Sequence, residues 1–206
     1  AALHLSLMAL GIKKNDEVII PDLTFVADAN AILACNAKPV ITDINKENFF
    51  LSISNIKKNI TKKTKAIIPV HIYGQVCNIE EILDIAKDNN LKVIEDCAHA
   101  IGTFHKSKHV GTLGSTGCFS FYPTKNITTA EGGMVITNSK QIAEKVRQLR
   151  SHGMTKSLKN RYSSEYPWIF DIIDPGYNYR LDEIRASLGI TQLKRIKKIN
   201  ELRRKA

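Results

Sequence analysis

The chain has 206 residues, 43% of them apolar, and 30 Lys and Arg against 20 Asp and Glu give a formal charge of +10. That is enough apolar material for a globular core, and no run approaches the ~18 apolar residues of a membrane span. The four cysteines, Cys35, Cys77, Cys97 and Cys118, form no C-x-x-C pair, which argues against a zinc site or disulfide framework and for reduced thiols in a cytoplasmic protein.

"AALHLSLMAL" predicts a helix over Ala1 to Leu10 that stops at Gly11. No basic segment precedes it and no small-residue cleavage site follows, so it is read as a buried helix and not a signal-peptide core. It starts with Ala and inside an element, from which a cut N-terminus is expected. "EVIIP" reads as a strand, followed by a helix over Ala27 to Asn36 and the strand "KPVITDI". A helix over Ser54 to Asn59, capped by Ser52 or Ser54, precedes the strand "KAIIPVHIYG". After a helix over Ile79 to Asn89 come the strands "LKVIEDC", "GCFSFYPT" and "GMVITN", then a helix over Lys140 to Arg150. Between Ser151 and Tyr179 periodicity disappears among aromatics, Pro and Gly, and a long functional loop is expected. The last helix, Asp182 to Arg204, carries the densest positive charge. There Leu193, Ile196, Ile199 and Leu202 recur at helical spacing with the bases on other faces, so a solvated amphipathic helix is expected instead of a nucleic-acid arm.

Strands that are apolar throughout are buried on both faces, so the alternation of strands and helices predicts an α/β layered domain with a mostly parallel sheet. In such sheets ligands bind where loops converge at the carboxyl ends of strands. Thr24 and Phe25, His71, Asp96, His99, Ser120 and Lys125 all fall there. No G-x-G-x-x-G, P-loop or H-E-x-x-H motif is present, which leaves dinucleotides, ATP and zinc unsupported and no metal expected. A strand-end carboxylate, an aromatic, a hydroxyl and a sheltered lysine suit pyridoxal phosphate. The amine forms a Schiff base, the carboxylate keeps the pyridine nitrogen protonated, and hydroxyls hold the phosphate. Each residue also has a plain reading: a strand-end Asp is commonly a turn residue, a lysine after a strand is commonly solvated, Phe25 is core, and His71 and His152 are structural.

Six collinear segments go further. "AALHLSLMALGIKKNDEVIIPDLTFVADANAI", "KAIIPVHIYGQ", "VIEDCAHAIGT", "GTLGSTGCFSFYPTKNITTAEGGMVIT", "LRSHGM" and "GYNYRLDEIRASLGITQL" together resemble the sugar aminotransferase family often called DegT/DnrJ/EryC1/StrS. The resemblance implies the large domain of the fold-type-I pyridoxal phosphate-dependent transferases, a three-layer α/β/α arrangement. It implies that Lys125 forms the Schiff base and moves the proton, that Asp96 faces the pyridine nitrogen, that His99 contacts the ring oxygen side, that Phe25 stacks on the ring and that Ser120 binds the phosphate. Asn178 and Arg180 match residues that reach the partner subunit's site, the first towards phosphate and the second towards substrate, which implies a homodimer.

The implied reaction passes an amino group from glutamate through the cofactor to the keto group of a nucleotide-linked sugar, as in surface-glycan or antibiotic biosynthesis. The family's Gly-Thr phosphate segment and its smaller C-terminal domain have no counterpart in the sequence. Residues 1–180 therefore read as the cofactor domain, and 181–206 as the start of a connecting helix. Ala130 stands where many members have Gly. Relatives that dehydrate the sugar carry His in place of the lysine, so Lys125 favours transamination. A cyclic keto-alcohol or aromatic substrate, or a truncated inactive copy, are the competing readings, and neither nucleic acid nor membrane is expected as a partner.

Overall fold

A computed structural model of the chain describes residues 1–155, 166 and 168–205; the rest of the expected 151–179 loop, and Ala206, lie outside the described residues. Its centre is a six-stranded sheet. The strands are β1 (Glu17–Pro21), β2 (Lys38–Thr42), β3 (Thr64–Ile67), β4 (Lys92–Asp96), β7 (Thr116–Ser120) and β8 (Gly133–Ile136), in the order β2-β1-β3-β4-β7-β8. All neighbours are parallel except β8, which runs antiparallel to β7 at the edge with Ser120 opposite Gly133. The mostly parallel sheet and the six expected strands are thus present. Central β1 is buried along its whole length, whereas the edge strands β2 and β8 are partly exposed.

Strand alternation sends successive residues to opposite faces, and each face carries its own core. On one, Ile19, Ile67 and Val93 meet Ile56 of α3 (Ile53–Asn59) and Ile79, Ile82 and Ile85 of α4 (Ile79–Asp88). On the other, Val18, Ile20, Ala66, Ile94 and Cys118 meet Leu7 of α1 (Ala2–Ala9) and Ile32 of α2 (Ala27–Ala34). Each fully buried aliphatic side chain contributes about 1.5–3 kcal/mol, so the two layers hold the sheet rigid beneath the loops. Glu95 and Asp96 are adjacent in β4 and therefore point to opposite layers, which separates their roles.

The helix signals fall where expected. Gly11 ends α1 with φ +81°, its N–H donating to the Met8 carbonyl. Of the two candidate caps, Ser52 precedes α3 and its Oγ accepts from Asn55 N at 3.4 Å. Ser139 and Asp182 cap α5 (Lys140–Leu149) and α6 (Glu183–Leu193) in the same way.

Two features differ from the sequence reading. The single helix expected over Asp182 to Arg204 is two, α6 and α7 (Ile196–Lys205), separated at Lys194–Arg195. The break accompanies contacts that periodicity does not encode: Ile196 and Ile199 pack against the cluster of Phe119, Phe121 and Ile127. A two-stranded hairpin, β5 (Phe104–His105) and β6 (Lys108–His109), was also not expected. Its strands are too short to show alternation, and it turns at Lys106 with φ +54°.

Candidate active site

The parallel strands β1, β3, β4 and β7 deliver their following loops to one end of the sheet, as the strand-end argument requires. Asp96 closes β4. It lies opposite Cys118 of β7, buried with 8% of its surface exposed, and its Oδ1 accepts from Ala98 N at 2.8 Å. Burial pushes its carboxyl above the ordinary range, against the opposing pull of the Ala98 N–H and the charge of Lys125. Lys125 comes from the neighbouring strand's loop, in a turn closed by its own N–H to the Tyr122 carbonyl at 3.0 Å. Among the described residues its amine has no hydrogen-bond or ion-pair partner, while its charge is felt by both Asp96 and His99.

His99 follows two residues after the Cys97 turn. Burial, and then the Lys125 charge, lower its pKa, so the ring is neutral near pH 7. The N–H of Tyr73 donates to its Nδ1 at 3.4 Å, which places the ring hydrogen on Nε2. The Tyr73 ring stacks on it at 6.0 Å and 9°. Tyr73 sits at φ +52°, a strained backbone for a bulky residue, and its ring is 78% exposed. Phe25 is not core: its ring is 74% exposed, just before the first turn of α2. Ser120 ends β7 half-buried, and its Oγ accepts from Tyr122 N at 3.3 Å.

The lysine loop is clamped from behind. Gln192 Oε1 accepts from Thr128 N at 2.9 Å, Asn126 Nδ2 donates to Asn200 Oδ1 at 2.7 Å, and an Arg203 guanidinium nitrogen donates to the Lys125 carbonyl at 3.2 Å. Helices α6 and α7 thereby fix the position from which the amine projects. Ala130 in the same loop stands at φ +64°, the left-handed region that glycine adopts without strain.

Asn178 and Arg180 are placed elsewhere. Asn178 forms an antiparallel bridge with Ser151, flanked by Tyr177 and Tyr179, which stack on each other at 5.0 Å and pack edge-on against His4. Both side chains are exposed, and the Arg180 guanidinium donates to Ser151 Oγ at 3.5 Å.

Three residues that bear on the site escape the sequence reading: Asp28, Glu95 and Tyr73. Asp28 lies in the first turn of α2, completely buried beside Asp96. Glu95, equally buried, accepts four hydrogen bonds on the other face: His71 Nε2 and Gly111 N at Oε2, and Leu113 N and Gly114 N at Oε1. These contacts outweigh burial and keep its pKa below the ordinary value. His71 is structural, as expected: its other nitrogen accepts from Cys77 N at 3.3 Å. With Cys97 these two form a compact group of metal-type ligand atoms, but the His71 and Glu95 lone pairs are already committed to the fold. The available signal was a carboxylate inside an otherwise apolar strand or helix. A surface hollow lined by Glu80, His105 and Lys106 shares none of the Asp96 and Lys125 neighbourhood.

The sequence pattern of the DegT/DnrJ/EryC1/StrS aminotransferase family matches residues 1–206. The chain belongs to that family. It is 46% identical over 192 residues to GDP-perosamine synthase of Escherichia coli O157:H7, covering 93% of this chain and 50% of that protein. Among solved structures it is similar to an aminotransferase from Psychrobacter cryohalolentis, with TM-score 0.87 and 37% identity over 94% of this chain and 49% of the other. It is also similar to the PMP form of a putative sugar aminotransferase, Spr1654, from Streptococcus pneumoniae, with TM-score 0.88 and 31% identity over 96% and 54%. The chain spans about half the length of the curated relatives it matches. The three-layer fold expected from the resemblance is the fold these family members share.

Proposed function

We propose that this chain carries the cofactor site of a pyridoxal phosphate-dependent aminotransferase that passes an amino group from glutamate to the keto group of a nucleotide-linked sugar. The observation that carries it is the pairing of buried Asp96 with the unpartnered Lys125 amine at the carboxyl ends of adjacent parallel strands. Similarity to a GDP-perosamine synthase supports the sugar-nucleotide class, and the PMP form of a structural relative supports the cofactor.

The residues suit the cofactor. Asp96 Oδ2 has no hydrogen-bond partner among the described residues, and burial makes its charge costly, so a protonated ring nitrogen is the counterpart it lacks. The bare ring of Phe25 offers a stacking face, His99 Nε2–H a donor for the ring oxygen, and Ser120 a hydroxyl for the phosphate. When bound, pyridoxal phosphate supplies an aldehyde that condenses with amines and a ring that withdraws electrons from the neighbouring carbon. Asp96 holds the proton on the ring nitrogen. Lys125 Nζ takes the proton from the substrate's α-carbon as a free base and returns it one carbon away. Neutral His99 donates a hydrogen bond without adding a second positive charge beside that amine.

In this reading residues 1–180 form the cofactor unit and 181–206 the connecting segment that braces the lysine loop. Asn178 and Arg180, exposed and turned to Ser151, serve the partner subunit's site in a homodimer. The protein works in the cytoplasm on small, soluble substrates. No helix among the described residues is long and apolar enough to cross a membrane.

The test supplies glutamate and a nucleoside-diphosphate keto-sugar and follows 2-oxoglutarate together with the aminated sugar. The wild type should form both in equal amounts, and Lys125→Ala should lose at least about 10²-fold in rate. Undiminished turnover by Lys125→Ala would overturn the assignment.

A further inference from the structure

Helix α2 presents small and apolar residues to the sheet, with one exception. Asp28 is completely buried, and nothing in the mechanism above uses it. Its Oδ2 accepts from Thr24 Oγ1 at 2.5 Å, and its Oδ1, also buried, has no hydrogen-bond partner. The groups facing it are anionic or neutral: Asp96 from β4 and Cys118 from β7, whose thiol is hydrogen bonded to Ser6 of α1 and pushed up to about 12 by burial. The Lys125 ammonium acts on Asp96, and the Ala1 amine lies by Cys118.

Two carboxyl groups thus compete for ionisation in one buried layer. Asp96 has an amide N–H and the field of the Lys125 ammonium, whereas Asp28 has a single hydroxyl donor. The first-turn dipole of α2 favours an anion at Asp28, but it is weaker than the cost of burying a charge with an unpartnered oxygen. Asp28 therefore keeps the proton. Burial first, and then the Asp96 charge, push its carboxyl up to about 8.

We propose that Asp28 is a positioning residue for Asp96, held as a neutral carboxylic acid so that Asp96 is the single negative charge facing the cofactor's ring nitrogen; the role rests on the pyridoxal phosphate reading above. Neutral Asp28 contributes a dipole and packing without adding charge. Ionised Asp28 places a second anion next to Asp96, which tightens proton binding at Asp96 and at the ring nitrogen together. The site's electronic properties should then change as the pH rises through the Asp28 titration.

Two measurements test it. In wild-type protein labelled at the aspartate carboxyl carbons, the NMR titration of Asp28 should have its midpoint near pH 8; a midpoint below 5 overturns the neutral acid. In cofactor-loaded protein, the absorbance of wild type and Asp28→Asn is followed from pH 5 to 10. Asn mimics the protonated acid and still accepts from Thr24, so the two profiles should coincide below about pH 6 and diverge above about pH 8. Profiles that coincide throughout, or differ at low pH and converge at high pH, overturn the positioning role. Absence of any cofactor band in the wild type would overturn the cofactor reading and this role with it, while the carboxyl titration would still report whether Asp28 is a neutral acid.

Discussion

Replacing Glu95 with Gln changes one atom and should cost more than most core truncations. Glu95 Oε1 accepts from Leu113 N and Gly114 N at 2.8 and 2.7 Å, and Oε2 from Gly111 N and His71 Nε2 at 2.7 and 3.0 Å. An amide offers one acceptor and one donor end, so in either orientation two buried donors face an NH₂ group. His71 cannot relieve the conflict by moving its hydrogen, because its Nδ1 already accepts from Cys77 N. At about 1–3 kcal/mol for each unsatisfied buried donor, the loss is roughly 2–6 kcal/mol. That is a large share of the ~5–15 kcal/mol available to a domain, and corresponds to roughly 5–20 °C in melting temperature. Urea unfolding at pH 7 measures it. The sign with pH is fixed by the lowered pKa: the charge of Glu95 stabilises above its ordinary value of 4.5, and that stability is lost as the pH falls through the lower folded value. The deficit of Glu95→Gln relative to wild type should be full between pH 6 and 8 and shrink in acid. A deficit below about 1 kcal/mol at pH 7, or one that does not change with pH, would refute the reasoning.

Other substitutions probe the frame of the site. Gly117→Ala would set a Cβ 2.2 Å from Gly111 Cα, backbone against backbone, and should destabilise by about 3 kcal/mol in urea unfolding. Ala130→Gly relieves a residue held at φ +64°; the gain of about 1–2 kcal/mol is partly offset by unfolded-chain entropy, so a net rise of roughly 0.5–1 kcal/mol is expected in the same assay. Asn200→Ala removes the acceptor for Asn126 Nδ2 and the donor to the Ile101 carbonyl, so amide exchange across Ile196–Lys205 should accelerate about tenfold, as expected for a loss near 1.4 kcal/mol.

Much of the architecture was legible because its signals are local. "EVIIP" and "LKVIEDC" announce doubly buried strands by having almost no polar alternation, and Gly11 and Ser52 mark helix ends through backbone preferences that depend on no distant contact. The break at Lys194–Arg195 was not legible, because it accompanies the packing of Ile196 and Ile199 against Phe119 and Phe121, 75 to 80 positions earlier in the chain. The site divides along the same line. Asp96 and Lys125 were marked by strand ends and by the family's motifs. Asp28 and Glu95 matter through what surrounds them in space, and the sequence shows only a carboxylate among apolar neighbours, which reads equally well as a turn or surface residue. Tyr73 owes its importance to a positive φ and a stacking partner 26 residues away.

The central claim is that Lys125 is the cofactor lysine. Incubating the protein with pyridoxal phosphate, reducing with borohydride and locating the added mass by peptide mass spectrometry tests it directly. The account predicts a pyridoxyl adduct concentrated on Lys125, above the level on every other lysine and absent from Lys125→Ala. Labelling scattered evenly over the lysines, or concentrated on a residue other than Lys125, would contradict it.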